Sequence, residues 1–303
     1  VPDTVQSVVL SRVDRLDAEL RHVLQSASVI GRVFRRSVLE RVATQSTDIE
    51  QALWELEDHA LIYQGRTVPE PEYVFRHALT HDAVYQTVVQ RRRIEFHGSV
   101  AREMEALYAG EIDEHVEQLA YHYERGGEQA KATEYLLLSA DGAAANYAHD
   151  SAIEYYERAA SSTQPPATRE EMARHARALA GLGQVYTDAG RAEDALPHFR
   201  RAIELSKRAD IPARETALLC DAMGEAMFWA DGDTTAAGEE GLALLEEGEE
   251  SVEAALLTSR LAFGKLMSGV TSGAGFLDEM RHVADYLEGL ATDLSCVCCT
   301  SSW

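Results

Sequence analysis

Residues 176–209, ARALAGLGQVYTDAGRAEDALPHFRRAIELSKRA, decide the fold of this chain. Two runs of small and apolar residues recur there at helical spacing, one on each side of a turn at 188–191. Gly183 and Ala195 would let two antiparallel helices approach closely, while large side chains fill the groove beside them. The inward positions are Leu179, Leu182, Gly183, Tyr186, Ala195, Phe199, Ala202 and Ile203. The stretch therefore predicts a helical hairpin that needs neighbours to cover its apolar face.

These residues lie at the offsets of a tetratricopeptide repeat, which the stretch resembles, although Lys207 stands where a proline is usual. The glycine position recurs at Gly224 and Gly264, with spacings of 41 and 40 residues, and an earlier unit has Ala140 there. Residues 111–290 are therefore predicted to form tetratricopeptide-like helical repeats, an α-solenoid.

The hydrophobic period changes once, near residues 61–76. Two short β-prone runs, 61–63 and 73–75, flank a segment that contains glycine and prolines, which is typical of a β-hairpin. Helical stretches precede this hairpin, in the element order of a winged helix. We predict a mainly α protein, with a helical and winged-helix domain over 1–110, repeats over 111–290 and a disordered tail over 291–303.

Composition excludes several classes of function. The chain has 303 residues, 46% of them hydrophobic, which is ample for packed cores. Its net charge of −23 repels nucleic acid and anionic lipid, and reflects either a need for solubility or an acid-rich, salt-adapted proteome. The sequence has no run of 18 uncharged apolar residues, so no membrane span is predicted. A cytoplasmic location is expected.

We expect no catalytic site and no metal site in this segment. The sequence has no phosphate-binding loop motif, and its histidines are scattered. Cys220 is predicted to be a core residue. Cys296, Cys298 and Cys299 would need a fourth ligand and a folded frame to hold a metal, and a frayed terminus is the alternative.

The winged-helix order also suggests one function to be weighed as an alternative, that of a stand-alone transcription regulator whose winged helix binds DNA. The helix that would enter the major groove, 48–59, has no Lys or Arg. Its acidic residues are Asp48, Glu50, Glu55, Glu57 and Asp58. These carboxylates would repel phosphate, which argues against DNA as a partner.

Residues 1–160 carry a second resemblance, through VPDTVQSVVLSRVDRLDAELRHVLQSASVIGRVF, ALIYQ, YVFRHALTHDAVYQTV and RRRIEFH. They resemble the region that follows the ATPase module in signal-transduction ATPases with numerous domains. Some members are fused to class III nucleotide cyclases or DNA-binding output domains. The resemblance implies that ATP or ADP binds a module that precedes Val1, and that the repeats sense a protein or peptide. The start at Val1 without Met agrees with a piece of a longer protein.

The two resemblances also imply site residues. In tetratricopeptide proteins the first helix of each hairpin lines a concave groove, which here would present Asp141, Gln184, Asp221, Glu225, Trp229 and Lys265. These residues either bind a basic or amphipathic segment, with Trp229 as an anchor, or merely face water. In the resembling ATPases a histidine that begins the helix after the wing contacts the ADP phosphates. His77 matches it, and the alternative is a histidine that caps the helix or bonds a wing carbonyl.

Overall fold

The computed structural model describes residues 10–44, 48–162, 166–246 and 251–300. The chain forms two compact units, Val1–Tyr135 and Leu136–Trp303, here called unit 1 and unit 2. The functional domain boundaries near residues 110 and 290 stay predictions.

Unit 1 contains helices and three short strands. In chain order they are α1 (Ala18–Ile30), β1 (Val33–Arg35), α2 (Arg36–Val42), α3 (Ile49–Asp58), β2 (Ile62–Arg66), β3 (Glu72–Phe75), α4 (Ala78–Thr87), α5 (Gln90–Leu107), a 3-10 turn (Ile112–Glu114) and α6 (Val116–Arg125). None of the described helices is long and apolar enough to cross a membrane.

Side-chain caps begin two of these helices. The Asp17 carboxylate accepts a hydrogen bond from the backbone N–H of Leu20 at 2.7 Å, which starts α1. Asp48 starts α3 in the same way, through the N–H of Gln51 at 3.0 Å.

The three strands form one antiparallel sheet in the order β1-β3-β2. β2 and β3 form the predicted hairpin, with Ile62 opposite Phe75. The sequence did not predict β1, whose Val33 lies opposite Val74. Three residues are too few to show a period, and they become a strand because β3 offers them backbone partners.

The core of unit 1 lies between this sheet and its helices. Phe34 and Phe75 meet edge to face, 5.8 Å between ring centroids, and both are almost fully buried. The helix after the hairpin, α4, ends at Thr87, and Val89 is 73% exposed. The β-branched Val88 adopts an extended backbone, so α5 starts as a separate helix.

Unit 2 is built from paired helices. The first of them, α7 (Gln129–Ala145), begins in unit 1 and continues into unit 2. The others are α8 (His149–Ser161), α9 (Arg169–Asp188), α10 (Ala192–Ala209), α11 (Ala213–Ala230), α12 (Thr235–Leu242), α13 (Val252–Met267) and α14 (Gly273–Thr300). Each of α9 to α13 packs against the next helix along the chain. The first helices of successive pairs also touch, α9 with α11 and α11 with α13. This pattern of nearest-neighbour contacts is a helical repeat fold.

The hairpin of α9 and α10 has the packing that its sequence predicts. The chain turns at Gly190, whose φ of 72° suits glycine. A Cβ atom added to Gly183 would lie 2.8 Å from ring atoms of Phe199, so the two helices meet where the sequence has no side chain. At the equivalent position, a Cβ on Gly264 would lie 2.7 Å from the Thr234 hydroxyl oxygen. These glycines permit the close approach of helices.

The structure departs from the sequence-based expectation for the last helix and agrees with it for Cys220. Residues 291–300 continue α14, although the sequence predicts a disordered tail there; alanine and leucine, both strong helix formers, recur as far as Leu294. Residues 301–303 lie outside the described chain, and so do the side chains of Cys296, Cys298 and Cys299. Cys220 is a core residue as predicted, and burial raises the pKa of its thiol to about 12.

Candidate functional site

The predicted partner surface lies on the first helices of the hairpins. Asp141, Gln184, Glu225 and Lys265 each follow the small residue that permits close packing of its helix. They therefore occupy equivalent positions on α7, α9, α11 and α13, rotated about 100° from the packed position. Trp229 comes one helical turn after Glu225, on the same face of α11.

Asp141 is held by contacts within the repeats. Its carboxylate accepts hydrogen bonds from the Arg177 guanidinium at 2.6 Å and from the Tyr156 hydroxyl at 2.5 Å. Burial raises the pKa of Tyr156, and the bond to Asp141 raises it further. Asp141 therefore ties α7 to both α8 and α9, a structural role that the sequence did not predict.

Asp221 has a similar partner one repeat later. The Arg260 guanidinium donates to its carboxylate at 2.9 Å, and the side chains of Asp221 and Arg260 are only 19% and 23% exposed. This pair joins α11 to α13, successive first helices. The partners lie 39 residues apart in the sequence, so no local pattern reveals the pair.

Trp229 is the most exposed of the predicted surface residues, with 67% of its side chain open to solvent. It lies edge on to Phe228 at 5.0 Å, and Phe228 contacts Phe263 of α13 at 5.4 Å. Glu225 and Lys265 are half-buried, and neither side chain has a hydrogen-bond partner among the described residues. An aromatic side chain and both charge signs are thus left available on this face.

Gln184 completes the predicted set. Its amide donates to the Asp188 carboxylate of its own helix at 2.9 Å. Of the six predicted residues, three have hydrogen-bond partners inside the repeats, Glu225 and Lys265 have none in the described chain, and Trp229 is exposed beside Phe228.

His77 lies in unit 1 at the residue that precedes α4. Its backbone is extended, its side chain is exposed, and it does not cap the helix. The imidazole makes no hydrogen bond with any part of the chain that the structure describes. Neither a helix cap by this side chain nor its hydrogen bond to a carbonyl of the hairpin is therefore observed. Among the described residues no side chain caps α4, so backbone N–H groups of its first turn have no side-chain acceptor there.

Two polar clusters in unit 1, the first buried and the second partly exposed, were not predicted. In the first, the Tyr85 hydroxyl meets His97 at 3.0 Å, and His97 and His122 share a hydrogen bond between their Nδ1 atoms at 2.9 Å. Burial lowers the pKa of His97 to about 4 and that of His122 to about 3, with a smaller contribution from nearby charge. Both rings are therefore neutral at pH 7, and one donates to the other.

The second cluster surrounds Glu105. Its carboxylate accepts hydrogen bonds from Lys131 at 2.8 Å, from Tyr135 at 2.7 Å and from Tyr123. Burial alone would raise the pKa of Glu105, but these donors outweigh it and lower the pKa. Both clusters hold helices together at positions where sequence spacing gives no signal.

The sequence matches no protein-family model, and no curated protein is similar to it. Aspartyl phosphate phosphatase F from Bacillus subtilis is 15% identical, over 86% of this chain and 64% of its own, with a TM-score of 0.43. BtubC (BKLC) from P. vanneervenii is 14% identical, over 92% and 93% of the two chains, with a TM-score of 0.40.

A Signal Transduction ATPase with Numerous Domains from Pyrococcus horikoshii, which has a tetratricopeptide repeat sensor, is 10% identical with a TM-score of 0.39. The match covers 92% of this chain and 46% of that one. The chain thus spans less than two thirds of the phosphatase and less than half of the Pyrococcus ATPase. Likenesses at this level carry no information on activity.

Proposed function

We propose that this chain is a regulatory and scaffolding segment of a multidomain signalling ATPase. Its repeats bind a protein or peptide, and a winged helix in unit 1 relays that binding to a nucleotide-binding module before residue 1. The segment itself is not an enzyme. The observation that carries the proposal is the exposed Trp229 on a face formed by successive first helices.

The winged-helix assignment is supported by element order and pairing. The helices α1, α2 and α3, with β1 between the first two, precede the β2–β3 hairpin. The three strands form one antiparallel sheet. In this assignment β2 and β3 are the wing and α3 is the helix that DNA-binding members place in the major groove.

The proposed ligand of the repeats is a basic or amphipathic segment. Trp229 offers an anchor with a large contact area and few rotatable bonds. Glu225 supplies a carboxylate without a partner in the described chain, which favours a cation nearby. Asp141 and Asp221 contribute negative charge, while their arginine partners hold the helices that form the surface.

His77 is the proposed link to nucleotide. An exposed imidazole at a helix N-terminus can donate a hydrogen bond to an ADP phosphate, and the unoccupied N–H groups of α4 add partial positive charge. Movement of unit 1 away from the nucleotide module would break that contact.

DNA binding, the alternative function, has less support. α3 presents Asp48, Glu50, Glu55 and Asp58 to solvent and carries no cation. These carboxylates would meet phosphate with a like charge, and the binding of proteins to DNA depends largely on the neutralisation of phosphates.

The partner surface can be tested with a photo-reactive benzoylphenylalanine in place of Trp229 in the parent protein. We expect it to crosslink a partner, which is then titrated against the Trp229→Ala variant, with Leu277→Ala as the control. Leu277 is also exposed but does not belong to the predicted surface. Trp229→Ala should weaken binding about tenfold or more, a hot-spot effect, and the control should leave binding unchanged. Equal binding by both variants would remove Trp229 from the partner surface.

A further inference from the structure

α3 has one buried face and one exposed face, and the exposed face has an aromatic centre. Ile49, Leu53 and Leu56 are packed into the core of unit 1. Trp54 points the other way and leaves 66% of its side chain in solvent. An exposed tryptophan leaves a large apolar surface in water, which is unfavourable for the folded chain. The presence of Trp54 on the exposed face of a rigid helix therefore suggests a binding role.

A shallow groove of about 630 Å³ surrounds this ring. Its lining residues are Asp48, Glu50, Gln51, Trp54, Glu55 and Asp58. Asp58 lies one helical turn after Trp54, so both side chains share a face of α3. The Asp58 carboxylate has no hydrogen-bond or ion-pair partner among the described residues, and Glu55 accepts only from Gln51.

Other aromatic rings of unit 1 are covered by arginine from within the chain. Arg125 lies 4.6 Å from the ring centre of Tyr121, and Arg93 lies 5.1 Å from that of Tyr85. Trp54 has no cation or second ring against it in the part of the chain that the structure describes. Tryptophan is the best aromatic partner for a cation, and the Trp54 ring is left open to one.

We propose that this face of α3, the Trp54 groove, docks an arginine-bearing segment of a partner protein. The guanidinium stacks on the Trp54 ring and donates hydrogen bonds to the carboxylates of Asp58 and Glu55. A planar guanidinium can stack and bond at its edge at the same time, whereas the compact ammonium of lysine cannot. The acidic rim selects a basic polypeptide and repels nucleic acid and anionic membrane surfaces.

The probe is a twelve-residue peptide, three repeats of Gly-Arg-Leu-Arg, compared with the same peptide in which lysine replaces every arginine. Both are titrated calorimetrically into the 303-residue chain. We expect the arginine peptide to bind about fivefold more tightly than the lysine peptide. Trp54→Leu should weaken arginine-peptide binding about tenfold and abolish the preference for arginine. Leu277→Ala, which shortens an exposed apolar side chain of unit 2, should leave both affinities unchanged.

A charge-matched pair of variants separates this site from general attraction to an acidic protein. Glu55→Gln with Asp58→Asn removes two charges from the Trp54 groove, and Asp150→Asn with Glu170→Gln removes two exposed charges from unit 2. The first pair should weaken binding about tenfold and the second should not. Equal effects of the two pairs, or native affinity in Trp54→Leu, would overturn the proposal. All changed residues are exposed, and a circular dichroism spectrum identical to that of the native chain confirms folding.

Discussion

Units 1 and 2 are both mainly helical, but different contacts hold them together. Unit 1 depends on contacts between residues far apart in sequence: a sheet, the buried pair His97 and His122, and the donors around Glu105. Unit 2 depends on small residues between neighbouring helices, with Asp–Arg pairs such as Asp221 and Arg260 between repeats. A defect in unit 2 should therefore stay local, whereas a defect in a cluster of unit 1 should affect the whole unit.

The largest expected effect is that of pH on unit 1. His97 and His122 stay neutral in the folded chain because their pKa values are lowered, whereas both take up protons below about pH 6.5 when unfolded. Stability is then complete above pH 6.5 and falls with pH, down to about pH 4 for His97 and about pH 3 for His122. At pH 5 the loss is roughly 2 kcal/mol for each histidine.

Urea unfolding at pH 7 and pH 5 measures this loss. The control is the double variant His97→Asn and His122→Asn, which keeps polar side chains but cannot titrate. Its stability should change less with pH than that of the native chain. The same pH dependence in both proteins would mean that other groups cause it.

The next largest effect concerns the close packing of α9 against α10 in unit 2. Gly183→Val places a side chain where a Cβ alone lies 2.8 Å from Phe199, and should destabilise unit 2 by about 3 kcal/mol. Gly142→Ala is the control, since its Cβ meets no atom within 4 Å, and it should stabilise α7 by up to about 1 kcal/mol. Denaturation curves recorded by fluorescence of Trp229 compare them. A tolerated valine would show that α9 and α10 are not closely packed.

A smaller effect concerns the polar cluster of unit 1. Glu105→Ala leaves three donors without their acceptor and should cost about 2 kcal/mol, since the site is partly open to solvent. Glu103→Ala removes only an exposed pair with Arg41 at 3.5 Å and should change stability by less than about 0.5 kcal/mol. Chemical denaturation monitored through Trp54 distinguishes them. Equal, small changes would make the Glu105 cluster incidental to the stability of unit 1.

The same contrast explains what could be predicted from the sequence. In unit 2 the turn at 188–191 and the packed Gly183 follow from local spacing, because most contacts in a repeat are between neighbours. In unit 1 the strand β1 exists only because β3 pairs with it. Tyr85, His97 and His122 meet across 12 and 25 residues, and no periodic pattern encodes such contacts.

The candidate sites divide in the same way. Trp229 could be identified from its place in the repeat; it is exposed, and its role in partner binding stays a prediction. The internal partners of Asp141 and Asp221 could not, because Arg177 and Arg260 come from the next first helix. The exposure of Trp54 could not be predicted from the sequence, because a single tryptophan in an amphipathic helix can equally well lie in the core.

ADP retention by the parent protein tests the central claim most directly. In our account His77 donates a hydrogen bond to a charged phosphate, so His77→Ala should weaken ADP binding about tenfold and raise the basal output. His59→Ala, which removes another exposed histidine of unit 1, should change neither. Unchanged ADP affinity together with unchanged basal output in His77→Ala would contradict the proposed relay from the repeats to the nucleotide module.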